Sequence, residues 1–255
     1  MAVVPARSIR PAPPARAPAA RRWALLVFAA VLLHGAAACT RNEPPFARNA
    51  ILISIDTLRA DRLGLYGYDR PTSPHLDAFA ARGAVFDRAV AEAPWTLPSH
   101  VTMLSGLHPA THGVNQAYLR VGSDVTLLAE ILRREGFATI GITDGGYVGA
   151  MFGFDRGFEV WKDEARPFRS ALALAAHLIR EQGDRRYFLF LHTYQVHCPY
   201  TAPARYGAMF ASPGAEPFDT GEPCGMAAYL RRALTPGNAQ HLRDQYDAGI
   251  RQTDD

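Results

Sequence analysis

The stretch Pro94-Trp95-Thr96-Leu97-Pro98-Ser99-His100 joins a loop, a helix start and a hydroxyl close to an imidazole. Pro98 suits a first helical turn and Leu97 before it is biased towards extended backbone, so Thr96 is predicted just outside a helix N-terminus. Free backbone N–H groups and the positive end of the helix dipole favour an anion there. A hydroxyl beside such a site attacks a bound sulfate or phosphate ester once a base or metal lowers its pKa. A threonine that merely caps a surface helix is the competing reading.

Two more groups belong to the same chemistry. Asp56 follows the apolar run Asn49 to Ile55, which reads as a buried parallel strand, and the carboxyl ends of such strands are where ligands sit in open α/β sheets. A carboxylate there holds a divalent cation, or else caps a turn. Tyr187 to Leu191 is a second buried-strand signal, and His192 through His197 are predicted to emerge from its end. A histidine in that place donates to a leaving group or satisfies a local backbone group.

The elements that must position these groups alternate. Leu58 to Pro74 reads as an irregular excursion, after which Ser73 to Asp77 opens a short amphipathic helix with Leu76, Phe79 and Ala80 on one side and Gly83 ending it. Ala84-Val85-Phe86 is expected to be a short strand, and Thr111 to Val114 a turn. Asp124 to Arg134 has Leu127, Leu128, Ile131 and Leu132 at helical spacing with Gly136 as the stop, and Phe137 to Ile142 is the next strand. Residues 143 to 163 form a glycine- and aromatic-rich excursion, Pro167 to Arg180 a helix, 199 to 225 a loop, and His241 to Asp255 a closing helix. Strand–helix–strand order predicts an α/β fold with a predominantly parallel sheet.

The formal charge of +3 comes from the leader: Arg7, Arg10, Arg16, Arg21 and Arg22 lie before the first apolar run, and without them the charge is −2. Net charge therefore implies no nucleic-acid partner. The apolar run Trp23 to Leu33 is too short to span a bilayer comfortably, and it is followed by Ala36-Ala37-Ala38-Cys39. Residues 1–38 thus read as an export signal of lipoprotein type, with Cys39 as lipidation site, and 39–48 as a tether. Cleavage at the alanines without lipid is the rival. The expected location is the periplasmic or cell-surface side of a bacterial membrane, held at the membrane surface by the lipid. Cys198 and Cys224 remain after the signal, and an exported protein could pair them.

The segments Ile51 to Asp61, Pro94 to His100 with Leu104-Ser105-Gly106, His112-Gly113-Val114, Gly153 to Phe158, Phe190-Leu191-His192 with His197-Cys198-Pro199-Tyr200, and Tyr246 to Ile250 resemble, in order, the sulfatase-like group of the alkaline phosphatase superfamily. The resemblance covers residues 49 to 255. It implies Asp56 as a metal ligand, Thr96 at the nucleophile position and also on the metal, His100 in place of the signature arginine, and His197 in the substrate pocket. It further implies a divalent cation, calcium or zinc, and a sulfate or phosphate ester substrate.

The departures matter chemically. Thr57 replaces a second acidic residue, and Thr143-Asp144-Gly145-Gly146 does not match the usual Lys-Trp-His segment. The usual cysteine or serine becomes a formylglycine hydrate, whereas Thr96 offers one hydroxyl and resembles the nucleophile of related phosphatases. His100 forgoes a bidentate anion contact. The Asp-His-Gly segment that completes the metal site in the family has no counterpart, so 49–255 reads as an incomplete N-terminal domain. Two expectations follow: a metal-dependent hydrolase of sulfate or phosphate/phosphonate esters, or a noncatalytic or nonfunctional truncated surface fragment without a complete metal site.

Overall fold

A computed structural model describes residues 49–218 and 234–255. The signal, tether and Cys39 lie outside the described residues, as do Cys224 and the end of the 199–225 loop. Arg48–Asp255 forms one compact unit. Among the described residues no helix is long and apolar enough to cross a membrane.

Four strands, β1 (Ala50–Ile55), β2 (Ala138–Ile142), β3 (Val160–Lys162) and β4 (Tyr187–Thr193), make one parallel sheet in the order β1-β4-β2-β3. The expected α/β architecture is present. β3 lies within the 143–163 stretch expected to be irregular. Only three residues long, it carries no period that could be read in advance. Residues 84–86 form no strand; Phe86 is exposed and adds to no sheet.

The helices are α1 (Pro74–Ala80), α2 (Thr96–Ser105), α3 (Pro109–His112), α4 (Leu128–Arg134), α5 (Phe168–Glu181), α6 (Ala204–Phe210) and α7 (Pro236–Asp254). α4 begins four residues later than its apolar spacing suggests, and Glu130 reaches back to the Leu127 N–H at 2.8 Å. α6 lies in the stretch expected to be loop. α7 begins before His241 because Thr235 caps it, accepting from the Asn238 N–H. The turn expected at residues 111–114 is the short α3 and its exit, with His112 buried and accepting from the Val114 N–H.

The sheet has two working faces. On one, Leu52, Phe188 and Phe190 pack against Leu97, Val101 and Leu104 of α2. On the other, Ile140, Ile142, Leu189 and Leu191 pack against Phe168, Ala171, Ala175 and Leu178 of α5. Gly141 is required on the first face: a Cβ there would stand 2.2 Å from the Trp161 ring. β1, expected to be fully buried, is an edge strand, with Ile51 53% and Ile53 51% exposed. α5 does not reach that far, and Phe79 of α1, expected on an apolar face, is exposed beside them.

α7 pins the loop that follows β1. The Tyr246 hydroxyl donates to the Thr57 carbonyl at 2.7 Å and accepts from the Arg59 N–H at 2.9 Å. Burial pushes this phenol up to about 12, so it remains protonated at neutral pH. Below it, Asp247 accepts from Tyr68 and Arg70 at 2.7 Å each, and Asp244 from Arg70 at 2.9 Å.

Candidate active site

β1 and β4 run side by side with Ser54 opposite His192, and the Asp56 N–H continues the ladder to the Thr193 carbonyl at 3.0 Å. Because strand side chains alternate, Leu52, Ser54 and Asp56 share a face with Phe190, His192 and Tyr194. That face is apolar towards the start of each strand and polar at its carboxyl end. β4 runs two residues further than expected, so His192 and Thr193 lie within the strand; His192 is fully buried.

α2 covers this polar end. It starts at Thr96 itself, with Trp95 as N-cap, so Thr96 is the first helical residue and Leu97, expected to be extended, is helical and buried. Pro98 falls third, still within the turn where its missing N–H costs nothing. Thr96 is half-buried, and its side chain reaches the Asp56 carboxylate and the Tyr194 hydroxyl. One turn on, His100 Nδ1 lies 2.8 Å from the Thr96 carbonyl, and its Nε2 lies 2.9 Å from Ser54 Oγ.

A carbonyl only accepts, so Nδ1 of His100 carries the proton and Nε2 presents a lone pair, to which Ser54 donates. Burial lowers the His100 pKa, which keeps the ring neutral. It therefore offers a lone pair where an arginine would offer a cation.

Asp56 is buried beside two imidazoles. Burial alone would raise its pKa; the His192 and His100 rings and Thr96 outweigh that and hold the carboxyl below its ordinary value. His192 Nε2 stands 3.7 Å from Asp56 Oδ2, longer than a hydrogen bond. Both His192 nitrogens and Asp56 Oδ2 lack a hydrogen-bond partner although buried. One donor atom from each of Asp56, His100 and His192 lies within 4.8 Å of those from the other two. Buried polar atoms are normally satisfied, so this convergence fits a divalent cation.

Tyr194 packs edge-on against His192 at 4.6 Å and against His197 at 5.4 Å. Burial and the Asp56 charge raise its pKa, so the phenol remains a hydrogen-bond donor. His197 therefore lies beyond Tyr194, its Nδ1 2.7 Å from the Cys198 carbonyl and half-buried. Cys198 is disulfide-bonded. Asp144, on the segment that departs from Lys-Trp-His, accepts from Thr193 Oγ1 and the Tyr194 N–H, each at 2.8 Å, and so clasps the end of β4. Thr57 adopts a left-handed backbone, φ 58°, with its hydroxyl donating to the Asp56 carbonyl. Such a conformation in a β-branched residue is strained, and it turns the chain sharply after Asp56.

A family model described as Sulfatase matches residues 48–255. The chain belongs to the Sulfatase family. It is 32% identical over 99 residues to an ulvan-active sulfatase of Formosa agariphila, covering 39% of this chain and 19% of that protein. To human arylsulfatase D it is 33% identical over 135 residues, covering 48% and 22%. The phosphonate monoester hydrolase of Agrobacterium radiobacter superposes with a TM-score of 0.63 at 19% identity, covering 81% of this chain and 57% of that one. The zinc complex of the C-terminal periplasmic domain of EcEptC from Escherichia coli gives 0.57 at 17%, covering 81% and 56%. At these identities the solved structures establish the fold alone. This Sulfatase-family chain spans about half the length of those two structures and about a fifth of the two curated relatives.

The structure brings Thr96, Asp56 and His100 together and leaves His197 one ring outward, beyond Tyr194. Ser54, His192 and Tyr194 join them, and Asp144 holds the strand end beside them, none having been assigned to the site. The alternation Leu52-Ser54-Asp56 beside Phe190-His192-Tyr194 is a signal that could have found three of them.

Proposed function

We propose that this chain carries the nucleophile side of a divalent-cation-dependent hydrolase that cleaves a sulfate or phosphate/phosphonate ester by attack of Thr96. The observation that carries the reading is the placement of the Thr96 hydroxyl, in the first turn of α2, against the Asp56 carboxylate at the carboxyl edge of a parallel sheet. Family membership and the sulfatase relatives support an ester of an oxoacid; the lone hydroxyl supports phosphorus over sulfur.

A divalent cation held by Asp56 and Thr96 would offset the ester's negative oxygens and lower the pKa of the hydroxyl. Thr96 Oγ bonds to the sulfur or phosphorus as the bond to the ester oxygen breaks, and the hydroxyl proton leaves to water. His197 supplies a proton to the departing alcohol. The Tyr194 hydroxyl and the free N–H groups of the first turn of α2 orient the oxyanion. Water then cleaves the Thr96 ester, releasing the oxoanion and restoring the hydroxyl.

Turnover of aryl sulfate, phosphate monoester, phosphate diester and phosphonate monoester probes, read alongside intact mass, tests the reading. An adduct on Thr96, and a loss of about a thousandfold or more in Thr96→Val, are expected. Turnover unchanged by that substitution refutes the nucleophile. We also place the protein outside the cytoplasm with a lipid on Cys39; loss of incorporated palmitate label in Cys39→Ser is the expected result.

A further inference from the structure

We infer that His192 and His100 join Asp56 as direct ligands, giving the chain a nitrogen-rich site that selects a zinc-class cation over calcium. The inference deepens the proposed reaction by identifying its ion, and rests on that reading only for what the ion does. The site itself stands on buried donors.

Three observations carry it. His192 sits within the central strand β4 with no solvent exposure and neither ring nitrogen bonded, and Asp56 Oδ2 beside it is likewise without a hydrogen bond. A neutral imidazole has one donor and one acceptor nitrogen, so leaving both dry is costly, and a ligand that takes the lone pair relieves the acceptor. Second, His100 has the arrangement that metal-bound histidines adopt. Its Nδ1 donates to the Thr96 carbonyl, which fixes the tautomer and directs the Nε2 lone pair at Ser54, on the strand that leads to Asp56.

Third, the donors are already close. The His192 Nε2 to Asp56 Oδ2 separation is 3.7 Å, against about 3.4 Å expected between two donors of a tetrahedral ion with bonds of about 2.1 Å. One donor from His100 falls within 4.8 Å of both. Rotation of the Ser54 hydroxyl away from Nε2 frees the third position.

The donor chemistry sets the selectivity. Calcium takes six to eight oxygens, and two imidazoles remove two of those places. Zinc and its neighbours accept two nitrogens and one carboxylate oxygen with a fourth position open, the arrangement of a catalytic rather than a closed structural site. The Thr96 side chain, which reaches Asp56, would be the group to take that open position.

Equilibrium dialysis of the folded full chain against zinc or calcium chloride, with metal counted by mass spectrometry, tests this. One zinc per chain, held against a large excess of calcium, is expected. Loss of a supporting partner already costs about 10–100-fold in affinity, so His192→Leu and His100→Gln should each lose about 100-fold or more, while Ser54→Ala binds at least as tightly. In wild-type protein, imidazole ¹⁵N resonances of two histidines should shift on zinc addition, a readout independent of whether any variant folds. Zinc absent from folded wild-type chain, calcium displacing zinc at equal concentration, or no histidine resonance moving would overturn the inference. Zinc binding without ester turnover would support this site while refuting the proposed hydrolysis, and turnover supported by calcium alone would do the reverse.

Discussion

His192→Leu should make the metal-free protein more stable, an unusual direction for a change in a central strand. Two buried ring nitrogens without partners cost about 1–2 kcal/mol each. Against that, leucine loses the ring contacts to His100 at 5.0 Å and Tyr194 at 4.6 Å, together about 1–2 kcal/mol. The difference, about 0–3 kcal/mol with a midpoint of about 1.5 in favour of leucine, corresponds at that midpoint to a rise in Tm of about 3–6 °C for a unit of this size. Saturating zinc at about a hundred times its dissociation constant would stabilise wild type by about 2.7 kcal/mol and the variant hardly at all, so the order should reverse. Thermal unfolding followed by circular dichroism, in chelator and then in zinc, reads both arms. A variant that melts below wild type in chelator would show that His192 is already satisfied by the protein, and the argument from orphaned donors would fail.

Other perturbations probe the scaffold. Asp244 accepts from Arg70, from the Ser212 N–H and hydroxyl, and from Gln240, each at 2.9 Å, so Asp244→Asn should cost about 2–3 kcal/mol in urea unfolding at pH 7. The folded Asp244 pKa is lowered, since its partners outweigh burial. Its contribution is therefore full above the unfolded value of about 3.9 and is lost as acid takes the pH through the folded value; the asparagine variant should lack that acid loss. Burial raises Asp247 instead, so its ionised form is a cost that grows as pH climbs from the unfolded value through the folded one, and Asp247→Asn should be milder than Asp244→Asn at pH 7. Gly157→Ala would need φ +84° and put a Cβ 2.3 Å from the Glu130 nitrogen, costing about 3 kcal/mol or more in the same unfolding assay. Ile53→Lys, on the exposed face of edge strand β1, should lower self-association in sedimentation without lowering Tm.

The parts of the fold that could be read in advance were those with long apolar runs. β2 and β4 announced themselves through Phe137 to Ile142 and Tyr187 to Leu191, because strands buried on both faces read as continuous hydrophobic segments. The same rule misjudged β1, since Ile51 and Ile53 are as apolar as core residues and only the reach of α5 decides that they are uncovered. β3 and α6 are short and held by tertiary packing, with Tyr206 and Phe210 of α6 seated against Ala248 of α7. At the site, Asp56 and Thr96 were legible because a carboxylate after a strand and a hydroxyl before Pro98 are local signals. The place of His192 beside Ser54 and Asp56 was not, because it depends on which residue of β1 pairs with it.

That neighbour relation makes the site a property of register. Ser54 faces His192 because Phe188 and Phe190 are seated under α2, against Leu97 and Val101, while Leu189 and Leu191 are seated under α5. A slip of β4 by one residue would exchange the two faces, bringing Thr193 under α2 and turning His192 towards α5. The Asp144 carboxylate resists such a slip by holding Thr193 and Tyr194 together at the strand end. Core volume and site chemistry are therefore coupled along one strand, two residues apart. A smaller side chain at Phe190 loosens the seat that aims His192, so its effect on cation affinity should exceed that of an equally destabilising change at Leu178, on the opposite face of the sheet.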